Sequence, residues 1–255
     1  MTKFGRTDDL QGAEFVEANL KGARFNEVNL KGAQFIEADL SGVVMRGIDL
    51  QGADLDSPWL TEAGGSMIVN GVDVAPLVEA ELNRRFPGRG ERRAQDPEAF
   101  RAAFAKVEAA WAAAQARAAA MPEGTVDVSV GGEWSFAQTQ RHLVHATDIW
   151  FGSAILELDE PHHPIGLRYG GTDDGTSPVP TYAEVLEARA GRLKMVRDYL
   201  AEVTAADLES ARKNPHAPEH PETVGSCLRV ILHEEWEHLR FATRDLDTID
   251  SNKAT

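Results

Sequence analysis

From Leu10 to Leu55 an apolar residue stands at every fifth position: Leu10, Phe15, Leu20, Phe25, Leu30, Phe35, Leu40, Met45, Leu50 and Leu55. Two places before most of them is a small residue, as at Ala13, Ala18, Ala23, Ala33, Ala38 and Ala53, and a glycine recurs every ten residues at Gly12, Gly22, Gly32, Gly42 and Gly52. A period of five fits neither the 3.6-residue helix nor the two-residue strand. A short repeat held in register this long points to a solenoid, in which each unit buries its apolar residue against the next. Alternating large and small positions suit such an interior, one filling space and the other admitting the backbone.

The segments Glu17-Ala18-Asn19-Leu20-Lys21 and Glu37-Ala38-Asp39-Leu40-Ser41 resemble the pentapeptide-repeat family over about residues 8–57. The resemblance implies a short right-handed quadrilateral β-helix across residues 1–58, of about two and a half coils, with ends that need covering.

After residue 58 the pattern changes. Pro58 and Gly64-Gly65 break the repeat, Met67-Ile68-Val69 reads as a short strand before the turn Asn70-Gly71, and Asp73 is placed to cap a helix over Ala75–Arg85. Pro76 is tolerated in that helix's first turn. Residues 59–95 therefore read as a linking segment with one short helix. From Asp96 the period is helical. Asp96-Pro97 is a cap followed by proline at the first helical position, and Phe100, Phe104, Val107 and Trp111 fall on one face. Helices are expected at roughly 97–120, 135–156, 181–202 and 223–245, a long loop at 159–180, and a short capped helix after Thr204. Four long amphipathic helices over 96–247 predict an up-and-down four-helix bundle, followed by a tail at 248–255.

The chain has 255 residues and a formal net charge of −15. That charge disfavours nucleic acid and anionic membrane as partners. The only dense basic run is Arg84, Arg85, Arg89, Arg92 and Arg93, and acids flank it. One cysteine, Cys227, permits no internal disulfide; with no signal-like start and no run of 18 apolar residues, a cytoplasmic protein is expected. No GxxxxGK or GxGxxG phosphate loop occurs.

Candidate chemistry concentrates on two helices. Glu234 and His238 stand four apart on a stripe with Cys227, Val230, Ile231 and Phe241. His142 shares a stripe with Phe136, Thr139, Ala146 and Ile149. A carboxylate on a buried face is costly unless it is paired or ligates an ion. Each residue alone reads more commonly as a hydrogen-bonded core group or an ion-pair partner. Together, His142, Glu234 and His238 make a three-ligand set that leaves positions open, the catalytic rather than the structural pattern. His233–His238 is not the zinc-protease motif, because its second histidine falls at +5. His145, one turn from His142 and near Asp148, reads as the candidate catalytic acid–base group, with a fourth ligand, a support to the ligands and a plain packing or surface residue as the alternatives. His233 points off the Glu234–His238 face, His162 and His163 lie in the long loop within reach of a pocket mouth, and Cys227 reads as a buried, inert thiol.

The run Glu133-Trp134-Ser135-Phe136 through Arg141-His142-Leu143, with Glu234-Glu235-Trp236-Glu237-His238, resembles the DinB-like family of four-helix metal proteins. That family includes bacillithiol and mycothiol S-transferases and the mycothiol-dependent maleylpyruvate isomerase. The resemblance implies one divalent ion on His142, Glu234 and His238. Zinc stands first, and nickel, iron, cobalt or manganese fit the same donors. It also implies a low-molecular-weight thiol such as mycothiol as cofactor and a small-molecule substrate. Two readings stand beside a thiol transferase or isomerase: a metal-dependent hydrolase, and a non-catalytic interaction module with a structural metal, whose repeat face could join two copies as a homodimer.

Overall fold

The structure, a computed structural model, describes residues 4–5, 8–36, 38–168 and 179–253. The chain divides into two units, Met1–Leu55 and Asp56–Thr255.

In the first unit the repeat specifies turns. The carbonyls of Leu10, Leu20, Leu30, Leu40 and Leu50 accept from the amides three residues on, at 2.9–3.0 Å. The glycine inside each turn has φ between 70° and 79°, which places it at the third position of a type II turn and explains the ten-residue recurrence. Asp9, Asn19, Asn29, Asp39 and Asp49 each accept from the backbone N–H two residues on.

The quadrilateral β-helix expected from this repeat is not what the structure holds. The described residues of the unit form no strand, and the two sheets among the described residues, each of two antiparallel strands, both lie in the second unit. The physical reason is where the hydrogen bonds go. They close within turns and onto side-chain oxygens, and no coil-to-coil ladder forms among the described residues. The apolar rows accordingly stay open: Leu10 is 44% exposed and Phe35 59%.

The second unit begins with a hairpin, β1 (Ile68–Val69) and β2 (Val72–Asp73), turning at Asn70-Gly71 with both residues at positive φ. Helix α1 (Ala75–Arg85) follows with Pro76 in its first turn. Asp73 accepts from the amides of Ala75 and Met67, tying helix start to strand. A 3-10 turn over Arg89–Arg93 comes next. It buries two of the five arginines of the basic run, Arg89 and Arg92, on Glu79, Glu62 and Glu237, so this run is no cationic surface patch.

Four long helices share one apolar core: α2 (Pro97–Ala120), α3 (Phe136–Thr147), α4 (Tyr182–Glu202) and α6 (Val224–Lys253). Each of the first three starts on a side-chain cap, at Asp96, Ser135 and Thr181, the latter two as full capping boxes. The expected second helix changes character near its end, where a π-helical turn over Asp148–Ser153 continues α3. The short helix α5 (Ala205–Leu208) is capped by Thr204 with Asp207. A hairpin of β3 (Ala211–Lys213) and β4 (Pro221–Thr223) joins α5 to α6. Of the long loop, residues 169–178 lie outside the described residues, as do 254–255 of the expected tail. Phe100, Trp111, Phe151 and Trp236 are almost wholly buried, each contributing about 1.5–3 kcal/mol.

Helix α6 has three working faces. Leu228, Leu232, Leu239 and Leu246 enter the core. His233, Glu237 and Arg240 face the segment from Asp56 to Arg93. Glu234 and His238 face α3.

Candidate metal centre

The capping box at Ser135 starts α3 and sets the phase that carries His142 inward, where it is 7% exposed. Its Nδ1 lies 3.2 Å from the carbonyl of Leu167. A carbonyl only accepts, so Nδ1 carries the proton and Nε2 presents its lone pair. Nε2 faces Oε2 of Glu234 at 3.6 Å. On α6, the Nδ1 of His238 donates to the backbone carbonyl of Glu234 at 2.9 Å, which likewise leaves Nε2 open. The two imidazoles stack with centroids 4.7 Å apart. The ligand atoms offered by His142, Glu234 and His238 all lie within 4.8 Å of one another, and this group could coordinate a metal ion.

The protonation states match. Burial works to raise the Glu234 carboxyl, but the neighbouring imidazoles of His142 and His238 outweigh it, holding the group below the usual carboxylate range. Burial pushes the His238 imidazole down to about 4, against the opposing charge of Glu234. A charged carboxylate with a neutral imidazole is the state a divalent cation requires.

The indole of Trp134 lies tilted against His142 at 4.6 Å and roughly parallel to His238 at 6.3 Å, while Phe241 meets His238 edge-on at 5.9 Å. Glu234 and His238 retain 18% and 15% side-chain exposure, so the cluster is reachable from solvent.

His145 is beside the cluster and not in it. Its ring lies 5.4 Å from that of His162, and Gly166 packs closely on it, so that a Cβ there would come within 3.2 Å of the His145 Cβ. Burial, followed by the charges of His142, His162 and Arg168, lowers it to about 4, so it is neutral and able to accept a proton. His163 contributes its backbone N–H to Asp148, and its side chain lines a pocket of ≈ 350 Å³ with Ile165, Glu184, Glu187, Ala188, Gly191 and Arg192. His233 is buried and stacks on Trp59 at 4.1 Å, away from the cluster. Cys227 is buried, and burial raises its thiol to about 11.

The sequence marks 161–168 as part of a long loop with His162 and His163 near a pocket mouth, but not its path along α3. The segment is held there through Arg141 Nε to the Ile165 carbonyl, the Leu167 amide to the Arg141 carbonyl, and the His163 amide to Asp148. Loop length was the only signal of that path, because backbone carbonyls leave no mark in a sequence. The acids between the two ligands in sequence were missed too. Glu235 is buried against Arg189, and Glu237 against Arg89. Their signal was visible: three acids in four residues cannot all face solvent on a helix with a core side.

Residues 106–242 match the model of the DinB superfamily, and residues 9–42 match eight copies of pentapeptide repeats. The two families are thus joined in one chain. No curated protein matches the chain, and no solved structure does. No described helix is long and apolar enough to cross a membrane.

Proposed function

The chain belongs to the DinB superfamily, and on that premise we propose that His142, Glu234 and His238 hold one divalent ion and that the site turns over a small-molecule substrate with a low-molecular-weight thiol. The observation that carries this reading is the convergence of three ligand atoms within 4.8 Å. The donor set fits: two imidazoles with Nδ1 committed to carbonyls, and one ionised carboxylate. Three protein ligands leave positions free, and the partial exposure of Glu234 and His238 supports access from solvent, which favours a working site over a sealed structural one.

Bound there, the ion supplies Lewis-acid polarisation of a substrate oxygen and acidification of a thiol or water. The net charge of about +1 on such a set favours an anionic ligand. Trp134 and Phe241 keep water from one side of the imidazoles. His145, neutral and one turn from His142, would be the group to accept a proton beside the site. Thiol transfer to an electrophile, or thiol-assisted isomerisation, follows from the likeness of Trp134-to-Leu143 and Glu234-to-His238 to the thiol-using branches of this fold. The fold alone does not choose between them.

Metal analysis of purified protein, followed by assay of the zinc- and nickel-loaded forms with mycothiol or bacillithiol and simple electrophiles, tests the reading. About one ion per chain and chelator-sensitive turnover are expected. A chain that binds metal yet turns over no thiol–electrophile pair sinks the transferase reading and leaves the metal site standing.

A further inference from the structure

We propose that two buried arginine–glutamate pairs, Arg189–Glu235 and Arg89–Glu237, are positioning residues that set the rotation of α6 about its own axis and so aim Glu234 and His238 at His142. The proposal rests on the metal reading above.

The two glutamates lie between the ligands in sequence and beside them in space. Glu235 follows Glu234, and Glu237 precedes His238. Consecutive helical residues point roughly 100° apart, so the two glutamates stand on opposite flanks of the ligand face. Each is gripped from an element that carries no ligand. Arg189 of α4 donates to Glu235 through Nη2. Arg89, in the 3-10 turn after α1, grips Glu237 through both Nε at 3.0 Å and Nη2 at 2.7 Å. The third nitrogen of Arg89 is anchored on Glu79 and Asn83, so its guanidinium cannot follow a turning helix. All four partners are at most 2% exposed.

A need for burial alone does not explain this arrangement. Apolar residues fill a helix interface at lower cost than ion pairs. Arg189 also leaves Nε and Nη1 without a partner among the described residues, and the Trp111 indole N–H lies on the Glu235 carboxylate without closing a hydrogen bond. What a charged pair adds over leucine is direction. The apolar stripe of Leu228, Leu232, Leu239 and Leu246 tolerates a small rotation by repacking, whereas a guanidinium–carboxylate contact on each flank does not. A modest turn of α6 would carry Glu234 away from the Nε2 of His142, which now stands 3.6 Å from it.

The experiment compares wild type with two double variants that replace each pair by apolar residues, Arg189→Met/Glu235→Leu and Arg89→Met/Glu237→Leu, and with the conservative Glu235→Gln. Readouts are zinc affinity by competition, the visible spectrum of the cobalt-loaded protein, and melting temperature without metal. Positioning predicts at least a tenfold loss of zinc affinity and an altered cobalt spectrum in both double variants, while Arg189→Met/Glu235→Leu melts no lower than wild type. Glu235→Gln keeps the Arg189 contact. It should keep the wild-type spectrum even where it melts lower. Wild-type affinity and spectrum in either double variant overturn the proposal, as do affinities that simply follow melting temperature across the set. A wild-type chain that binds neither zinc nor cobalt overturns the metal reading itself, and this inference with it.

Discussion

The imidazole of His142 donates from Nδ1 to the carbonyl of Leu167 across 25 positions of sequence, and this one bond decides which nitrogen faces Glu234. A carbonyl held against the far nitrogen of a ligating histidine fixes both tautomer and ring orientation. His142→Ala should therefore abolish stoichiometric metal, from about one ion per chain to none after dialysis, with the fold intact by circular dichroism. Elemental analysis decides it: full metal in this variant would mean that the ligands lie elsewhere.

The metal-free protein should lose stability on mild acidification. Burial first, and neighbouring charge second for His145, hold His145 and His238 at about 4, against an ordinary 6.5. Between those values the unfolded chain binds protons that the folded chain refuses. Stability is thus fully present above about 6.5 and falls as the pH drops toward 4. Melting temperatures across that window should decline steadily in metal-free protein, and less steeply in His238→Gln. A flat profile in the metal-free protein would contradict the burial of these rings.

Cys227 should behave as a spectator. Burial raises its thiol to about 11, so little thiolate exists at neutral pH. Labelling by a thiol-reactive disulfide should be slow in native protein, about one equivalent in denaturant, and unaffected by the thiol cofactor. Fast native labelling would place the residue in the chemistry instead.

Legibility in the sequence followed the range of the interactions. Helix starts were readable because caps are local. Asp96 and Thr204 cap as their sequence suggests, and Ser135 and Thr181, where the second and third long helices were expected to start, cap within three residues as well. The pairing of His142 with Glu234 and His238 was readable because polar residues on apolar stripes must meet something. The repeat misled at the step from period to architecture. Period five does report a recurring local state, the type II turn at Gly12, Gly22, Gly32, Gly42 and Gly52. Closure into a β-helix needs hydrogen bonds between coils, and no periodicity of side chains encodes those. The path of residues 161–168 along α3 and the grip of Arg89 on Glu237, 148 positions apart, were illegible for the same reason. So was the end of α6, which runs to Lys253, past the expected stop at Asp245, with Arg117 of α2 paired to Asp247 and Asp250.

Asp148 offers the sharpest test of how the 161–168 segment is held. It opens the π-helical turn, is 2% exposed, and divides its carboxylate between the His163 amide at 2.7 Å and Arg192 Nε at 2.6 Å. Asp148→Ala leaves the His163 N–H without its acceptor and a guanidinium without its counter-charge. Orphaning a buried donor costs about 1–3 kcal/mol, and more for a charged one. Part of that loss should be local, because the segment is otherwise tied to α3 through Arg141 and His142. Amide exchange at His163 and Leu167 should accelerate about tenfold or more, while amides in α2, whose core contacts the substitution does not touch, slow or quicken only with global stability. Zinc affinity should fall as the Leu167 carbonyl loosens its hold on His142, about tenfold by the usual weight of such contacts. Unchanged exchange at Leu167 would show that Asp148 anchors only its own turn.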